Sequence, residues 1–154
     1  MNDQPIFDHE KLDVYQVELS FIAWSSVLLS EIRAAREGLY REVCDQLDRA
    51  SLSSLLNTAE GNGKRQEKQR AKFFDDARGS AVECAACLDA LVARKLATIE
   101  RVIEGKRLLF RTVGMLRSWS SASIPIVLAK MRSRRTRTRT ITRTNRPGSK
   151  TKVP

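Results

Sequence analysis

One histidine, His9, and three cysteines, Cys44, Cys84 and Cys87, are the chain's whole supply of imidazole and thiol chemistry. Nucleophilic catalysis needs a base within hydrogen-bond reach of the nucleophile and a third group that orients the base. His9 falls near the start of the first helical stretch, where a solvated side chain is its simplest use, and no Ser/His/Asp or Cys/His set assembles around it. Cys84 and Cys87 form a CxxC, but on apolar positions inside a helical pattern and without a second ligand pair. A structural zinc site wants four ligands, whereas two small buried hydrophobes need nothing more. Gly61-Asn62-Gly63-Lys64 lacks the spacing and the preceding strand of a phosphate-binding loop. The sequence therefore predicts no catalytic residue, no metal, no cofactor and no enzyme.

A second polar set is more informative. Arg49, Ser53, Asn57 and Glu60 precede the glycine pair, and Arg78, Ser80 and Glu83 follow it. Ser53, Asn57 and Glu60 are spaced by four and three, so they share a helix face, and Ser80 and Glu83 share another. Two such faces turned toward each other would form an interhelical hydrogen-bond network that fixes register, with any buried carboxylate needing an Arg or amide partner. Direct contact with a ligand is the alternative use of the same residues.

Helical spacing that could position these groups recurs four times, and no run alternates with period two for long. The first helix is expected from about Asp8, as N-cap, to Ala35. It carries two apolar stripes. Leu12, Tyr15, Leu19, Ile22 and Leu29 form one; Val14, Val17, Phe21, Trp24 and Leu28 form the other, about 200° away around the axis. A helix apolar on opposite sides must bury both, so the second stripe is assigned to an oligomer interface, the alternative being a long central helix shared by two layers of one subunit. A second helix runs from about Leu39, after a turn at Gly38, to Glu60, with Leu39, Val43, Leu47, Ala50 and Leu55 inward and Gly61-Asn62-Gly63 as its terminator. The third spans about Gln66 to Lys95 with Phe74, Ala77, Ala81, Cys84, Leu88 and Leu91 inward, among small residues that permit close approach. Thr98 caps the fourth, whose inward set is Ile99, Val102, Leu109, Val113 and Leu116. Short turns between helices of this length give an all-α, antiparallel up-down-up-down four-helix bundle over 7–121, a short extension over 122–131 and a tail over 132–154.

The net charge of +10 is a property of that tail. To Val127 there are 18 Lys+Arg against 18 Asp+Glu, whereas Leu128 to Pro154 holds ten basic residues and no acidic one. With almost no apolar residue after Arg132, the tail cannot offset the entropy of ordering and is expected to be disordered alone. Ten cations without counter-charge attract phosphate, and a solubility tail or a membrane-surface patch is the other use of such a segment. Candidate nucleic-acid contacts are Arg49, Lys64, Arg65, Lys68, Arg70 and Lys72 around the turn after the second helix, with Arg132, Arg134, Arg135, Arg137, Arg139, Arg143 and Arg146 in the tail. The longest apolar stretch, Val14 to Leu29, is interrupted by Gln16, Glu18, Ser20, Ser25 and Ser26, which argues against a membrane span. The start of the sequence has no signal-peptide pattern and the cysteines are odd in number, so a reducing, cytoplasmic setting is expected.

The run QLDRASLSSLLNTAEGNGK, Gln46 to Lys64, followed by FFDDARGSAVE, Phe73 to Glu83, resembles the signature of the four-helix proteins encoded within intervening sequences of 23S ribosomal RNA genes. That signature has a QL-x-RA segment, then S-I-x-x-N-I-A-E-G, a basic residue, and A-x-G-S-x-x-E on the next helix. Gln46, Leu47, Arg49, Ala50, Ser53, Asn57, Ala59, Glu60, Gly61, Gly63, Ala77, Gly79, Ser80 and Glu83 match it. Leu12-Asp13-Val14-Tyr15-Gln16 is similar to the family's opening and Met115-Leu116 to its fourth helix, so the likeness runs from about Phe7 to Ser118. Ser54 and Thr58 depart from the pattern, standing where isoleucines are usual, and the tail lies outside it. The resemblance implies a homo-oligomer, a pentamer of bundles, without enzymatic activity and with RNA, ribosomal or precursor, as partner. A related group, the accessory proteins of diversity-generating retroelements, implies the alternative of an adaptor that binds a reverse transcriptase and nucleic acid.

Overall fold

The computed structural model describes residues 5–35 and 40–121, with Ser120 and Ser121 as backbone alone. Within them lie a short 3-10 turn, Asp8–Lys11, and four helices: α1 Asp13–Ala35, α2 Arg41–Gly63, α3 Glu67–Ala93 and α4 Ile99–Ser121. The described residues contain no strand. Each helix packs on the next and α4 returns to α1. The pairs Glu18–Ser54, Gly61–Phe74, Lys106–Asp89 and Arg101–Glu31 make every neighbouring pair antiparallel, the expected up-down-up-down order. Gly38, Leu39 and the tail arginines lie outside the described residues, as do the extension and the tail themselves.

Helix ends follow local chemistry. The entry to α1 is not an Asp8 cap: the Glu10 carboxylate accepts the Ile6 and Phe7 N–H groups at 2.6 and 3.0 Å, which tightens the chain into the 3-10 turn before α1 begins. Thr98 caps α4 as its sequence position suggests, its Oγ1 accepting the Arg101 N–H at 3.2 Å. The α3–α4 turn is a Schellman-type close, in which Leu96 N–H donates to Leu91 C=O and Lys95 N–H to Val92 C=O, both at 2.9 Å. Lys95 takes the left-handed position, φ 58°, that glycine usually fills.

The inward sets of α2 and α3 are buried where described. Two expectations need correction. Val14, Val17, Phe21 and Leu28 face the chain's own core, at most 5 % exposed, and Trp24 packs against that core from its margin. They are therefore no partner face. The buried face of α1 also carries Glu18 and Ser25, and these polar residues disguised its continuity. Of the other stripe only Leu29 is buried; Leu12, Tyr15 and Ile22 are half-buried and Leu19 is exposed. Ile99, at the first position of α4, is likewise exposed and not inward.

The glycines contradict the helix-terminator reading for the same physical reason that the helices pack closely. α2 continues through Gly63 and ends on an extended Lys64, φ −79°. Gly61 is inside the helix because a Cβ there would lie 2.9 Å from the Phe74 ring on α3. Gly105 does the same for α1 and α4, since a Cβ would fall inside the Trp24 ring. Gly105→Ala should force that ring from its groove and cost about 1 to 3 kcal/mol, the usual penalty of overpacking. Urea denaturation would read the loss and tryptophan emission the ring's displacement; an unchanged midpoint would refute the contact.

Candidate functional site

The signature residues meet along the α2–α3 seam. Ser53 and Ser80 hydroxyls lie 3.0 Å apart. Asn57 Nδ2 donates to the Ser53 carbonyl at 2.9 Å and reaches its hydroxyl at 3.3 Å. One to two turns along, Gln46 donates to the Glu83 carboxylate and accepts from Arg49. This brings Ser53, Asn57 and Ser80 into one cluster and Glu83 into a second with Gln46 and Arg49. Glu60 joins neither: it is exposed and pairs with Lys64 on its own helix at 2.8 Å. Arg78 also turns away, pairing with Asp75. All of these residues are at least partly exposed, although Arg78 Nε itself is buried without a partner, so the seam is a surface feature.

At the end of the seam, the turn from α2 to α3 gathers the candidate cations. Lys64 and Lys72 lie 4.7 and 5.7 Å from the centre of the Phe73 ring, a doubled cation–π contact. Lys72 also reaches Asp76 at 3.7 Å, and Arg70 braces the turn by donating to the Lys64 carbonyl at 3.0 Å. Arg65 and Lys68 are exposed, with no ion pair. These cations surround the N-terminus of α3, where unsatisfied N–H groups and the helix dipole add to the positive potential.

A third polar group was missed in the sequence. Glu18 on α1 is 3 % exposed. Its Oε1 accepts the Ser54 and Thr58 hydroxyls at 2.6 and 3.0 Å, while Oε2 has no partner and no exposure. Ser54 Oγ also lies 3.1 Å from the Ala77 carbonyl. Burial pushes the carboxyl up to about 7 against those two hydrogen bonds. The Cys84 thiol is pushed up to about 12 by burial first, then by Cys87 and Glu83, with Glu18 the smallest contributor. Cys87 is raised as well, chiefly by burial, so the CxxC pair offers no thiolate near neutrality. Among the described residues no cluster of His, Cys, Asp and Glu could hold a metal ion, and no helix is long and apolar enough to cross a membrane. His9 is stacked beside Phe7 and meets Tyr15 edge-on at 4.9 Å.

The matched order of these elements extends well beyond the seam. A family model described as 23S rRNA-intervening sequence protein matches residues 10–118. The chain belongs to the 23S rRNA-intervening sequence protein family. No curated protein and no solved structure matches it. In this member of the family, Ser54 and Thr58 are the two positions that depart from the isoleucines of the signature, and both are spent on Glu18. That joint departure, two polar residues four apart on an otherwise apolar face, was the signal that could have located a buried acid on a neighbouring helix.

Glu18 gives a pH dependence with a definite sign. Its folded value, about 7, stands above the 4.5 of an unperturbed glutamate, so the folded state keeps a proton that the unfolded chain has lost between those values. This contribution to stability is complete below about 4.5 and falls as pH rises to about 7, by on the order of 3 kcal/mol. Denaturant titrations between pH 4.5 and 8 should show that slope in the parent chain and not in Glu18→Gln. Identical slopes in the two proteins would remove Glu18 from the account.

Proposed function

We propose that this protein is a non-enzymatic, self-associating bundle that binds RNA, ribosomal or precursor, through its basic residues. The observation that carries the reading is the uneven distribution of charge. A body balanced to Val127 is followed by ten cations with no acid among them, in a family whose description ties it to 23S rRNA. The unpaired Arg65 and Lys68, beside Lys64 and Lys72 at the α2–α3 turn, add a local patch on the bundle itself. Contacts of this kind are to phosphate, so affinity is chiefly electrostatic and falls with salt, with a log-log slope of roughly −4 to −7 if six to ten phosphates of a single strand are neutralised.

The test separates tail from turn. Truncation after Lys130 should weaken binding to a labelled RNA and flatten the salt slope while leaving the helical signal intact. Arg65→Glu with Lys68→Glu should lower what affinity remains. A truncated chain with full affinity and the same slope would move the whole interaction to the turn, and a full-length chain that binds no RNA at 50 mM salt would end the reading.

Self-association is supported by the apolar residues that remain outside once the α1 stripe is turned inward. Leu52 and Leu56, 52 % and 57 % exposed, lie one turn apart on α2, and Leu19 is exposed on α1. A homo-oligomer, pentameric as the resemblance suggests, would cover them. Light scattering should find a discrete assembly that Leu52→Glu with Leu56→Glu reduces to the mass of one chain. A parent chain already at that mass at micromolar concentration would dismiss it.

A further inference from the structure

One large apolar side chain stands apart from the packing just described. Phe110 on α4 is 82 % exposed, the most exposed aromatic in the four helices. Its helix is otherwise regular, with Val102, Leu109 and Leu116 buried about 100° around the axis from it. A lone exposed hydrophobe is ordinary; the neighbours of this one are not. Arg107 lies one turn before it and Arg111 directly after it, both exposed and neither in an ion pair. One turn beyond the ring is Gly114, where an added Cβ would meet nothing within 4 Å. No side chain from that position covers the flank of the ring.

The rest of the outer face sets the limits of the feature. Ile99 and Ile103 continue the apolar line toward the start of α4, but Glu100 and Glu104 accompany them, so the half before Arg107 repels phosphate. The half from Arg107 onward carries no acid. Trp119 packs on Phe74 with ring centres 5.0 Å apart, which puts the end of α4 beside the start of α3 and thus at the end of the bundle that holds Arg65 and Lys68. Glu10, Asp13 and Glu67 are the acids without an ion pair at that end, Glu10 being held by the Ile6 and Phe7 N–H groups. The ten cations of the tail follow α4 in sequence.

We propose that Phe110, flanked by Arg107 and Arg111 beside the open position at Gly114, is a stacking platform for an unpaired base of single-stranded RNA, the two arginines taking the adjoining phosphates. The inference rests on the RNA-binding reading and adds the form of RNA recognised. An exposed ring between free cations is the chemistry of single-strand recognition: every base has a π-face, whereas paired bases in an A-form helix offer none to a protruding phenyl ring. The arginines argue against a purely apolar protein partner, which would have to desolvate two unpaired guanidinium groups to reach the ring.

The experiment measures full-length protein against a labelled single-stranded 12-mer RNA and a duplex of the same length by fluorescence anisotropy across a salt series. Phe110→Ala should weaken single-strand binding by about five- to a hundredfold, the range found when one stacked base loses its aromatic partner, with the salt slope unchanged and duplex binding little affected. Phe110→Trp should restore it. Arg107→Ala with Arg111→Ala should instead flatten the slope. Because Phe110 is exposed, circular dichroism of each variant should match the parent. If Phe110→Ala binds the single strand as the parent does, the platform is wrong while RNA binding stands. If it alters the mass seen by light scattering and leaves RNA affinity alone, the face meets protein and the proposal falls. A parent chain that binds neither RNA overturns both readings together.

Discussion

Ser54 has one hydroxyl proton and two acceptors in reach, Glu18 Oε1 at 2.6 Å and the Ala77 carbonyl at 3.1 Å. If Glu18 is ionised, Ser54 must turn its proton to the carboxylate, and Oε2 is left as a buried, unpaired charge. If Glu18 is protonated on Oε1, a continuous relay forms: the acid donates to Ser54, Ser54 donates to Ala77, and Thr58 donates to the acid. Protonation removes the buried charge and leaves Oε2 only a neutral acceptor without a partner, the less costly of the two states, which agrees with a carboxyl pushed up to about 7. One acid on α1, two hydroxyls on α2 and one carbonyl on α3 thereby fix the relative register of three helices. An apolar contact, which is not directional, would fix it less sharply.

This polar group also divides the core. Phe21, Leu28, Leu47, Leu88 and Val102 belong to one apolar cluster, and Val14, Phe74, Ala77 and Leu116 to another. Glu18, Ser54 and Thr58 lie between them, with Thr112 on α4 at the matching level of the antiparallel register. Close packing on either side depends on missing side chains: Gly61 admits Phe74, and Gly105 admits Trp24. The α2–α3 seam is held rigid by that approach, so Ser53, Asn57 and Ser80 can be partly solvated and still keep their geometry.

Much of this was legible in the sequence because packing repeats. The inward positions of α2 and α3 recur every three or four residues, and the Thr98 cap announces α4. What was not legible depended on pairs of residues distant in sequence. On α1, a stripe interrupted by Glu18 and Ser25 looked less like a core face than a clean one did, yet Ser54 and Thr58, 36 and 40 residues away, make Glu18 tolerable inside. Gly61 reads as a terminator until Phe74 is known to lie against it. Glu60 shares the face of Ser53 and Asn57 by spacing, but the solvated lysine one turn on is its partner. Spacing gives the face of a helix; it does not say which neighbour reaches that face.

The same distinction governs the charges. A count along the chain finds balance in the body and excess in the tail, and it cannot say which body cations are already engaged. At the end of the bundle where α1 finishes, Arg33 and Arg41 share Asp45, and Arg101 grips Glu31 through two hydrogen bonds of 3.1 Å. Those arginines have little left for a phosphate. Arg94 and Lys95 at that end, Arg65 and Lys68 at the other, and Arg107 and Arg111 along α4 are exposed without a carboxylate, Arg94 lying over the Tyr40 ring. A paired exposed cation must exchange its carboxylate for the phosphate, whereas an unpaired one gives up only water and counterions, so equal charge does not mean equal affinity. A neutral body can for that reason hold cations open to a polyanion, and the pairing pattern, more than the net charge, decides which cations those are.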